Sequence, residues 1–312
     1  MPSFATETKN ELARLISERR CCQKAELSAL FRMGATVTLA PGHRFGINFS
    51  SENAAVARKT ITLLRNARPD LHTDVVAVRA KRLWKRNSYR IRVAPMPEVE
   101  ELLIDLGLMK DGKLTVVPDR SILRHSCCRA AYLCGAFLGG GSVNRPESSY
   151  HLELVSESYG VANFLYVLLK KMEFPVGITD RKEEYVVYLK EGDSVMDFLG
   201  MLQAEKALER FEVARNLKEV RAQVNRLVNC ETANLQKTVD AAGRQLRDIR
   251  HLQEKGMFEG LPDLLKETGE ARLAHPEASL AELAEILCVS KSGLSHRMRK
   301  LQRMAERYTG SR

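Results

Sequence analysis

The stretch Arg129–Gly141, R-A-A-Y-L-C-G-A-F-L-G-G-G, predicts one short helix of small and apolar residues that ends at three glycines. A helix with so little side-chain bulk lets a second backbone approach closely, and a glycine after the last turn can adopt the left-handed conformation that ends a helix. A helix that is apolar on nearly every side belongs in the interior of a domain. We therefore expect this helix to lie at the centre of the fold.

A second copy of the helix lies upstream. Cys21–Ala35 aligns without gaps with Cys127–Gly141, and six of its fifteen residues are identical to their counterparts. The similarity continues beyond the helices, because Phe45–Asn53 corresponds to Tyr150–Ser158 and a later strand pattern is also repeated. The first two-thirds of the chain is therefore interpreted as a tandem duplication, whose central helices pack against each other across a pseudo-two-fold axis. The identical residues of the first copy are Cys21, Cys22, Ala25, Leu27, Phe31 and Gly34.

A duplicated α-β-β-α-β-β unit centred on such a helix resembles the plan of the LAGLIDADG homing endonucleases. The motif counterparts here are Leu27–Ala35 and Leu133–Gly141. In active members of that family, the penultimate acid of each motif holds divalent metal over the scissile phosphates, and Gly34 and Gly140 occupy these lost metal-ligand positions. Glycine has no side-chain oxygen to offer a cation, and the negative end of a helix repels phosphate. We expect no catalytic residue and no metal at this centre.

Composition indicates what kind of partner the chain has. Its 312 residues are 44% hydrophobic and 28% charged, which suits two domains, and the net charge is +10. The 49 Lys and Arg are spread along the chain, which favours nucleic acid as partner ahead of an anionic membrane surface. No apolar run approaches the roughly 18 residues of a membrane span, and the N-terminus lacks a signal-peptide core. We expect a cytoplasmic, nucleoid-associated protein with no membrane partner.

The seven cysteines include two adjacent pairs, Cys21-Cys22 and Cys127-Cys128. The pairs can be read as a four-thiolate metal site, but neighbouring residues rarely both bind one ion, and structural zinc sites usually space their cysteines by about two to four residues. We interpret the pairs as small buried residues that were duplicated with the helix start. The histidines show no H-E-x-x-H spacing, so we expect neither a metal nor a cofactor.

A basic hairpin in the first repeat is a candidate for accessory DNA contact. Alternation along the strand places Arg90 and Arg92 opposite Tyr89, Ile91 and Val93. Two interpretations of the hairpin remain open: a surface that contacts DNA phosphates, or a solvated sheet edge whose charges discourage aggregation. The counterpart hairpin of the second repeat is charge-neutral, which is unfavourable for a symmetric DNA-binding saddle. The candidate residues are Arg79, Lys81, Arg82, Lys85, Arg86, Arg90 and Arg92.

Three further segments carry structural expectations. Phe4–Arg20 reads as a leading amphipathic helix with Leu12, Leu15 and Ile16 on one face. Gly139–Ser149 lacks the lysine of a phosphate-binding loop and is interpreted as a turn. From about Asp193 onward the strand signals stop, and apolar residues at helical spacing indicate a helix with one buried face. The residues of that face are Leu235, Val239, Ala242, Leu246, Ile249 and Leu252.

Ser279–Leu301, S-L-A-E-L-A-E-I-L-C-V-S-K-S-G-L-S-H-R-M-R-K-L, predicts a helix-turn-helix. The turn is Cys288-Val289-Ser290, with Val289 buried and Ser290 capping the second helix. In this motif the second helix enters the major groove. Ser290, Lys291, Ser292, Ser295 and His296 are the candidates for base-edge and first-turn phosphate contact. Phosphate contact is assigned to Arg297, Arg299, Lys300 and Arg303, and Ser279 completes the predicted DNA-binding set.

The duplication without its acids, followed by a helix-turn-helix, resembles the WhiA family of bacterial regulators. The most specific matches are Gly139–Glu153 and Asn225–Thr238, with support from C-C-x-K-A-E-L at Cys21–Leu27. The resemblance implies an α+β fold in which a duplicated α-β-β-α-β-β LAGLIDADG-like domain precedes an all-α helix-turn-helix domain. We expect the first domain at residues 1–200, with repeats at about 21–108 and 127–200, a helical linker at 201–224 and the DNA-binding domain at 225–312.

The family implies a non-catalytic transcription regulator of cell division and chromosome segregation, and of sporulation in some bacteria, with double-stranded promoter DNA as partner. Two alternatives stay open at this point. One is a metal-dependent endonuclease that recruits acids such as Glu26, Glu153 or Glu157. The other is an interaction scaffold whose first domain holds another transcription regulator or RNA polymerase.

Overall fold

Two helices of small residues lie at the centre of the first part of the chain. The computed structural model describes residues 2–78 and 87–309 and divides into unit 1, Met1–Leu217, and unit 2, Lys218–Arg312. Leading helix α1 (Phe4–Leu12) is followed by α2 (Arg20–Gly34), the first of the two central helices. The second central helix, Ser126–Gly140, packs against α2 along its length.

The first repeat forms a four-stranded antiparallel sheet. Strands β1 (Ala35–Ala40) and β2 (Arg44–Ser51) form a hairpin, and α3 (Ala54–Ala67) separates it from β3 (Thr73–Val78) and β4 (Ser88–Met96). The strand order is β1-β2-β4-β3. The Asn53 side chain begins α3 by accepting hydrogen bonds from two backbone N–H groups of its first turn. A polar side chain at this point satisfies donors that have no partner within the helix.

The connection between the repeats is short and irregular. Helix α4 (Pro97–Asp105) closes the first repeat, and the two-residue strands β5 (Met109–Lys110) and β6 (Lys113–Leu114) pair with each other. A 3₁₀ turn at Arg120–Leu123 then leads into α5 (Ser126–Gly140), the second central helix.

The second repeat has the same strand order as the first. Strands β7 (Gly141–Val143) and β8 (Leu152–Ser156) precede α6 (Tyr159–Lys171), and β9 (Gly177–Arg181) and β10 (Glu184–Leu189) follow it. The sheet order is β7-β8-β10-β9, which corresponds strand by strand to the first sheet. The duplicated fold predicted from the sequence is therefore confirmed.

The close approach of α2 and α5 explains why glycine occupies positions 135 and 139 of the second central helix. A Cβ atom built on Gly135 would lie 2.3 Å from the backbone oxygen of Glu26 and 2.9 Å from the Ala29 Cβ. A Cβ on Gly139 would lie 2.6 Å from that of Met33. Larger side chains here would force the two backbones apart, so the small residues set the distance between the repeats.

Two expectations for unit 1 are wrong in their bounds. The leading helix ends at Leu12 rather than Arg20, so Leu12 is buried in the core while Leu15 and Ile16 are exposed. The segment interpreted as a turn, Gly139–Ser149, begins inside α5 and contains the edge strand β7. A three-residue strand carries too little alternation to be recognised from sequence, and the hydrogen bonds of β8 stabilise it.

Helices account for the rest of the chain. Helix α7 (Gly192–Met201) completes the second repeat, and α8 (Glu205–Glu254) passes from unit 1 into unit 2. The expected linker at 201–224 falls mostly within α8. Unit 2 continues with α9 (Asp263–Ala274), α10 (Leu280–Ile286) and α11 (Lys291–Thr309). Across residues 2–78 and 87–309, no helix is both long and apolar enough to cross a membrane.

The predicted buried face of α8 is only partly correct. Ile249 and Leu252 lie in the core of unit 2 and Ala242 is buried, as expected. Leu235 and Val239, however, are exposed by 65% and 55% of their surface. The apolar spacing continues through α8, but the helices that cover it, α9 to α11, pack only against its C-terminal turns. Periodicity identifies a face without showing how far along the helix that face is covered.

Candidate nucleic-acid interface

The first helix of the helix-turn-helix begins at a reciprocal cap. Ser279 Oγ accepts a hydrogen bond from the backbone N–H of Glu282, and a Glu282 carboxylate oxygen accepts one from the Ser279 N–H at 2.7 Å. The hydrogen bonds from Ser279 hold the pKa of Glu282 below its usual value. This capping box fixes where α10 starts. The Ser279 hydroxyl, a predicted DNA contact, takes part in this cap.

The turn between α10 and α11 is closed by backbone and side-chain hydrogen bonds. Cys288 takes the left-handed conformation, with φ of 51°, where glycine is the commoner residue. The Val289 N–H donates to the Ala284 carbonyl at 2.9 Å, and Ser290 Oγ accepts from the Gly293 N–H at 3.1 Å. The cap at Ser290 is as predicted. Val289 is half-buried rather than fully buried, because it packs at the edge of the core.

Helix α11 divides into a buried and an exposed face. Its buried side chains, Leu294, Met298, Leu301 and Ala305, join the core that α9 and α10 provide. The opposite face is polar and basic, which gives the helix the amphipathic character of a surface helix. The exposed members of the predicted set are Ser290, Lys291, Ser292, His296, Arg299, Lys300 and Arg303.

Two residues of the predicted set have less freedom to meet DNA. Arg297 Nη1 lies 3.7 Å from a carboxylate oxygen of Glu267 in α9, and only 20% of its side chain is exposed. Ser295 is half-buried, and its carbonyl accepts a hydrogen bond from Arg299 Nε at 3.3 Å. Arg297 is therefore placed to hold α11 against α9, whereas Arg299, Lys300 and Arg303 extend toward solvent.

A buried arginine in α9, which the sequence did not point to, stabilises the loop before the helix-turn-helix. Arg272 of α9 is 1% exposed, and its Nη1 donates to the carbonyl oxygens of Ala278 at 2.5 Å and His275 at 3.3 Å. These bonds hold the loop that leads into α10. Burial lowers the pKa of Arg272. Basic residues are common in the last turn of a helix, so no local sequence pattern could have shown that Arg272 is buried.

Residues of α8 and of the start of α11 line the same groove in unit 2. Lys237 and Thr238 of α8 line a groove of about 300 Å³ together with Ser279, Leu280 and Lys291. Lys237 belongs to the Asn225–Thr238 segment that carries the family resemblance. A lysine on each side of the groove extends the basic surface from α11 onto α8.

The two lost metal-ligand positions of unit 1 are closely packed, most of all at Gly140. A Cβ on Gly140 would lie 2.4 Å from the backbone oxygen of Val155, and one on Gly34 would lie 3.0 Å from the Phe49 ring. A side chain at Gly140 would therefore require backbone to move, whereas one at Gly34 would require only a small shift of the Phe49 ring.

The acids considered as replacements are engaged elsewhere or lie apart. Glu26 is buried in α2, with its Oε1 2.5 Å from Lys59 Nζ. Glu153 lies on β8 between His151 and Arg181, with nitrogens at 3.4 and 3.5 Å. Glu157 is exposed in the bend after β8. Within residues 2–78 and 87–309, these acids do not form a site with three or more metal-ligating groups.

The open face of the first sheet is polar and partly basic. Arg90 and Arg92 are exposed there, as the alternation predicted, and each pairs across the strands with a residue of β2, Ser50 or Asn48. Both arginines line a groove of about 800 Å³ that reaches Gly34 at the end of α2. The other accessory candidates, Arg79, Lys81, Arg82, Lys85 and Arg86, lie outside the described residues.

The structure brings four cysteines together, which the sequence did not predict. The Sγ atoms of Cys21, Cys22, Cys127 and Cys128 all lie within 4.8 Å of one another. Cys22 and Cys128 are buried, but Cys21 is exposed and Cys127 is half-buried. The interpretation of all four as buried packing residues was therefore wrong for the outer pair.

Comparison with known proteins places these features in a family. Profiles of the WhiA N-terminal LAGLIDADG-like domain, the WhiA LAGLIDADG-like domain and the WhiA C-terminal HTH domain match residues 20–109, 129–221 and 224–305. The probable cell division protein WhiA of Desulforamulus reducens is 46% identical over 310 residues, which cover 98% of this chain and 96% of that protein. The same-named protein of Heliobacterium modesticaldum is 43% identical over 310 residues, with coverage of 98% and 97%.

A solved structure shows the same fold. The crystal structure of full-length WhiA from Thermatoga maritima aligns with a TM-score of 0.61 at 23% identity, covering 98% of this chain and 99% of that one. The two repeats with their central helices, followed by α10 and α11, thus define a protein with duplicated LAGLIDADG-like domains and a C-terminal helix-turn-helix. The chain belongs to the WhiA family.

Proposed function

We propose that this protein is a sequence-specific, non-catalytic transcription regulator that binds double-stranded promoter DNA through α11. The observation that carries the proposal is the exposed face of α11, which places Lys291, Arg299, Lys300 and Arg303 beside Ser292 and His296 on a helix fixed by caps and a buried core. In helix-turn-helix proteins the N-terminal residues of this helix meet base edges, and basic residues meet phosphate. The net charge of +10 supports a polyanionic partner.

The proposal assigns separate roles to the residues of α11. Ser290, Lys291, Ser292, Ser295 and His296 occupy the turn and the first two helical turns, where base-edge contacts are made. Arg299, Lys300 and Arg303 lie further along and contact phosphate. Arg90 and Arg92 on the first sheet, with Arg79, Lys81, Arg82, Lys85 and Arg86 of the same hairpin, add accessory phosphate contact.

The absence of catalysis is also part of the proposal. It is supported by the two glycines at the helix ends, which offer no side-chain oxygen to a cation, and by the backbone of Val155, which a side chain at Gly140 would meet at 2.4 Å. The names of the relatives, probable cell division protein, support a role in cell division. We extend this role to chromosome segregation and, in sporulating hosts, to sporulation.

We also propose a protein partner, either another regulator or RNA polymerase. It is supported by the apolar side chains that α8 leaves exposed in the described chain. Within unit 2 these are Val220, Val224, Leu227, Val228, Leu235 and Val239. An exposed apolar row of this length is typical of an interaction surface.

Salt dependence tests the assignment of phosphate contacts. Arg299→Ala combined with Lys300→Ala should weaken binding to all DNA sequences and reduce the slope of log affinity against log salt by about 1.8, or roughly 0.9 for each lost contact. The measurement is a fluorescence-anisotropy titration of labelled duplex at several salt concentrations.

Ser292→Ala is the matched control, because this exposed residue on the same helix carries no charge. It should leave the salt slope unchanged while altering the preferred sequence, since each good base contact is worth about 1–3 kcal/mol of discrimination. A double variant that keeps the parental slope would contradict the phosphate assignment.

A further inference from the structure

The four clustered cysteines occupy equivalent places in the two repeats. Cys21 and Cys22 are the second and third residues of α2, and Cys127 and Cys128 are the second and third residues of α5. Because α2 and α5 pack directly against each other, the pseudo-two-fold relation brings their first turns side by side. Each repeat thus contributes one pair of thiols to a single place at the interface between the repeats.

The spacing of the sulfur atoms fits one metal ion. Zinc binds four thiolates tetrahedrally with Zn–S distances of about 2.3 Å, which puts the sulfurs about 3.8 Å apart. The four Sγ atoms here lie within 4.8 Å of one another, so rotation of side chains by small amounts closes the tetrahedron. All four cysteines are free thiols in the structure. Neighbouring cysteines rarely both bind one ion, but the packing of α2 against α5 brings both thiols of each pair within 4.8 Å of the other two.

Two helix N-termini and one arginine favour thiolates at the cluster. Neither helix has a side-chain cap at its N-terminus, where the helix dipole stabilises thiolate. Arg19 Nη1 lies 3.6 Å from Cys127 Sγ and offsets part of the negative charge of a four-thiolate site.

We propose that Cys21, Cys22, Cys127 and Cys128 bind one zinc ion that joins the two repeats at the N-terminal ends of their central helices. Thiolate ligands select zinc over magnesium or calcium, and a site with four protein ligands is structural rather than catalytic. Each thiol that coordinates the ion releases its proton, so binding to four neutral thiols liberates four protons and involves no oxidation or reduction. The site lies at the opposite end of α2 and α5 from Gly34 and Gly140, so it is distinct from the lost nuclease centre.

Metal content of the intact protein tests this site. The full chain, purified under reducing conditions without chelators, should contain about one zinc per chain by inductively coupled plasma mass spectrometry. After removal of zinc, addition of Co²⁺ should give the sulfur-to-cobalt charge-transfer band and strong visible bands of a tetrahedral thiolate site. In weakly buffered solution, zinc addition should release protons.

Single-cysteine variants distinguish the site from adventitious metal. Cys21→Ser alters an exposed side chain, so it should leave folding intact while lowering zinc affinity at least about tenfold. Cys230→Ser, which removes an exposed cysteine of α8, is the matched control and should keep full zinc content. Reduced wild-type protein that takes up neither zinc nor cobalt would overturn the proposal. So would equal zinc binding by Cys21→Ser, or four cysteines that are recovered as disulfides without metal.

Discussion

Replacing Lys59 with methionine is expected to lower the free energy of unfolding by about 3–5 kcal/mol at neutral pH. Lys59 is 2% exposed, and its Nζ lies 2.5 Å from Glu26 Oε1 while donating to the Leu12 carbonyl at 2.9 Å. Methionine fills similar space but leaves the buried Glu26 carboxylate without its cation. Breaking one partner of a buried ion pair is costly, because the remaining charge has neither water nor a counter-ion.

The loss should depend on pH in a defined direction. Burial raises the pKa of Glu26, and Lys59 opposes that rise, so removing Lys59 raises the folded-state pKa further. A raised carboxyl pKa contributes stability below the unfolded pKa of about 4.3 and loses it as pH rises through the folded value. The deficit of Lys59→Met should therefore be small near pH 4 and grow toward pH 7. Urea titrations followed by circular dichroism at both pH values measure it.

Lys24→Met provides a matched control for this prediction. Lys24 also forms an ion pair, with Asp105 at 3.2 Å, but 39% of the Lys24 side chain and 71% of the Asp105 side chain are exposed. Exposed pairs contribute less than about 1 kcal/mol, so this variant should unfold almost like the parent. Equal losses for the two lysine variants, or a Lys59→Met deficit that does not change with pH, would contradict the role of the buried pair.

Replacing Gly135 with alanine is expected to destabilise unit 1 by about 2–3 kcal/mol. The added methyl would sit 2.3 Å from the backbone oxygen of Glu26, and backbone cannot move aside as the tip of a flexible side chain can. The α2–α5 pair must therefore separate, which also disturbs the Glu26–Lys59 ion pair beside it. The urea midpoint at neutral pH measures the effect.

Gly200→Ala is the matched control for the helix crossing. Gly200 is an exposed residue of α7, and a Cβ there would meet only the Leu208 side chain at 3.7 Å. Alanine is the better helix former, so this variant should match the parent or gain up to about 1 kcal/mol. A Gly135→Ala protein as stable as Gly200→Ala would show that the crossing tolerates a wider separation than the structure has.

The sequence predicted the repeated architecture because both signals it used are local. Two cysteines, three apolar residues and a glycine that recur in the same order revealed the duplication, and similar strand patterns follow both central helices. The helix-turn-helix was predictable for the same reason, since its apolar spacing and its capping serines lie within a short segment.

What the sequence failed to show depends on contacts between distant segments. Leu235 and Val239 have the spacing of a buried face, yet nothing in a local pattern tells whether another helix covers them. The cysteine cluster requires two helix starts to meet, and the buried partner of Glu26 lies in a different helix of the repeat. The role of Arg272 likewise depends on a loop that folds back over it.

We propose that this WhiA-family protein reads DNA sequence without cutting it. Selection of bound duplexes from a random pool by the intact chain, in buffer containing Mg²⁺, tests both parts in one measurement. We predict enrichment of one sequence motif, recovered as full-length DNA, and loss of that enrichment when Lys291 and Ser292 are both replaced by alanine. Unchanged enrichment by that variant, or recovered duplexes cleaved at the motif, would contradict the claim.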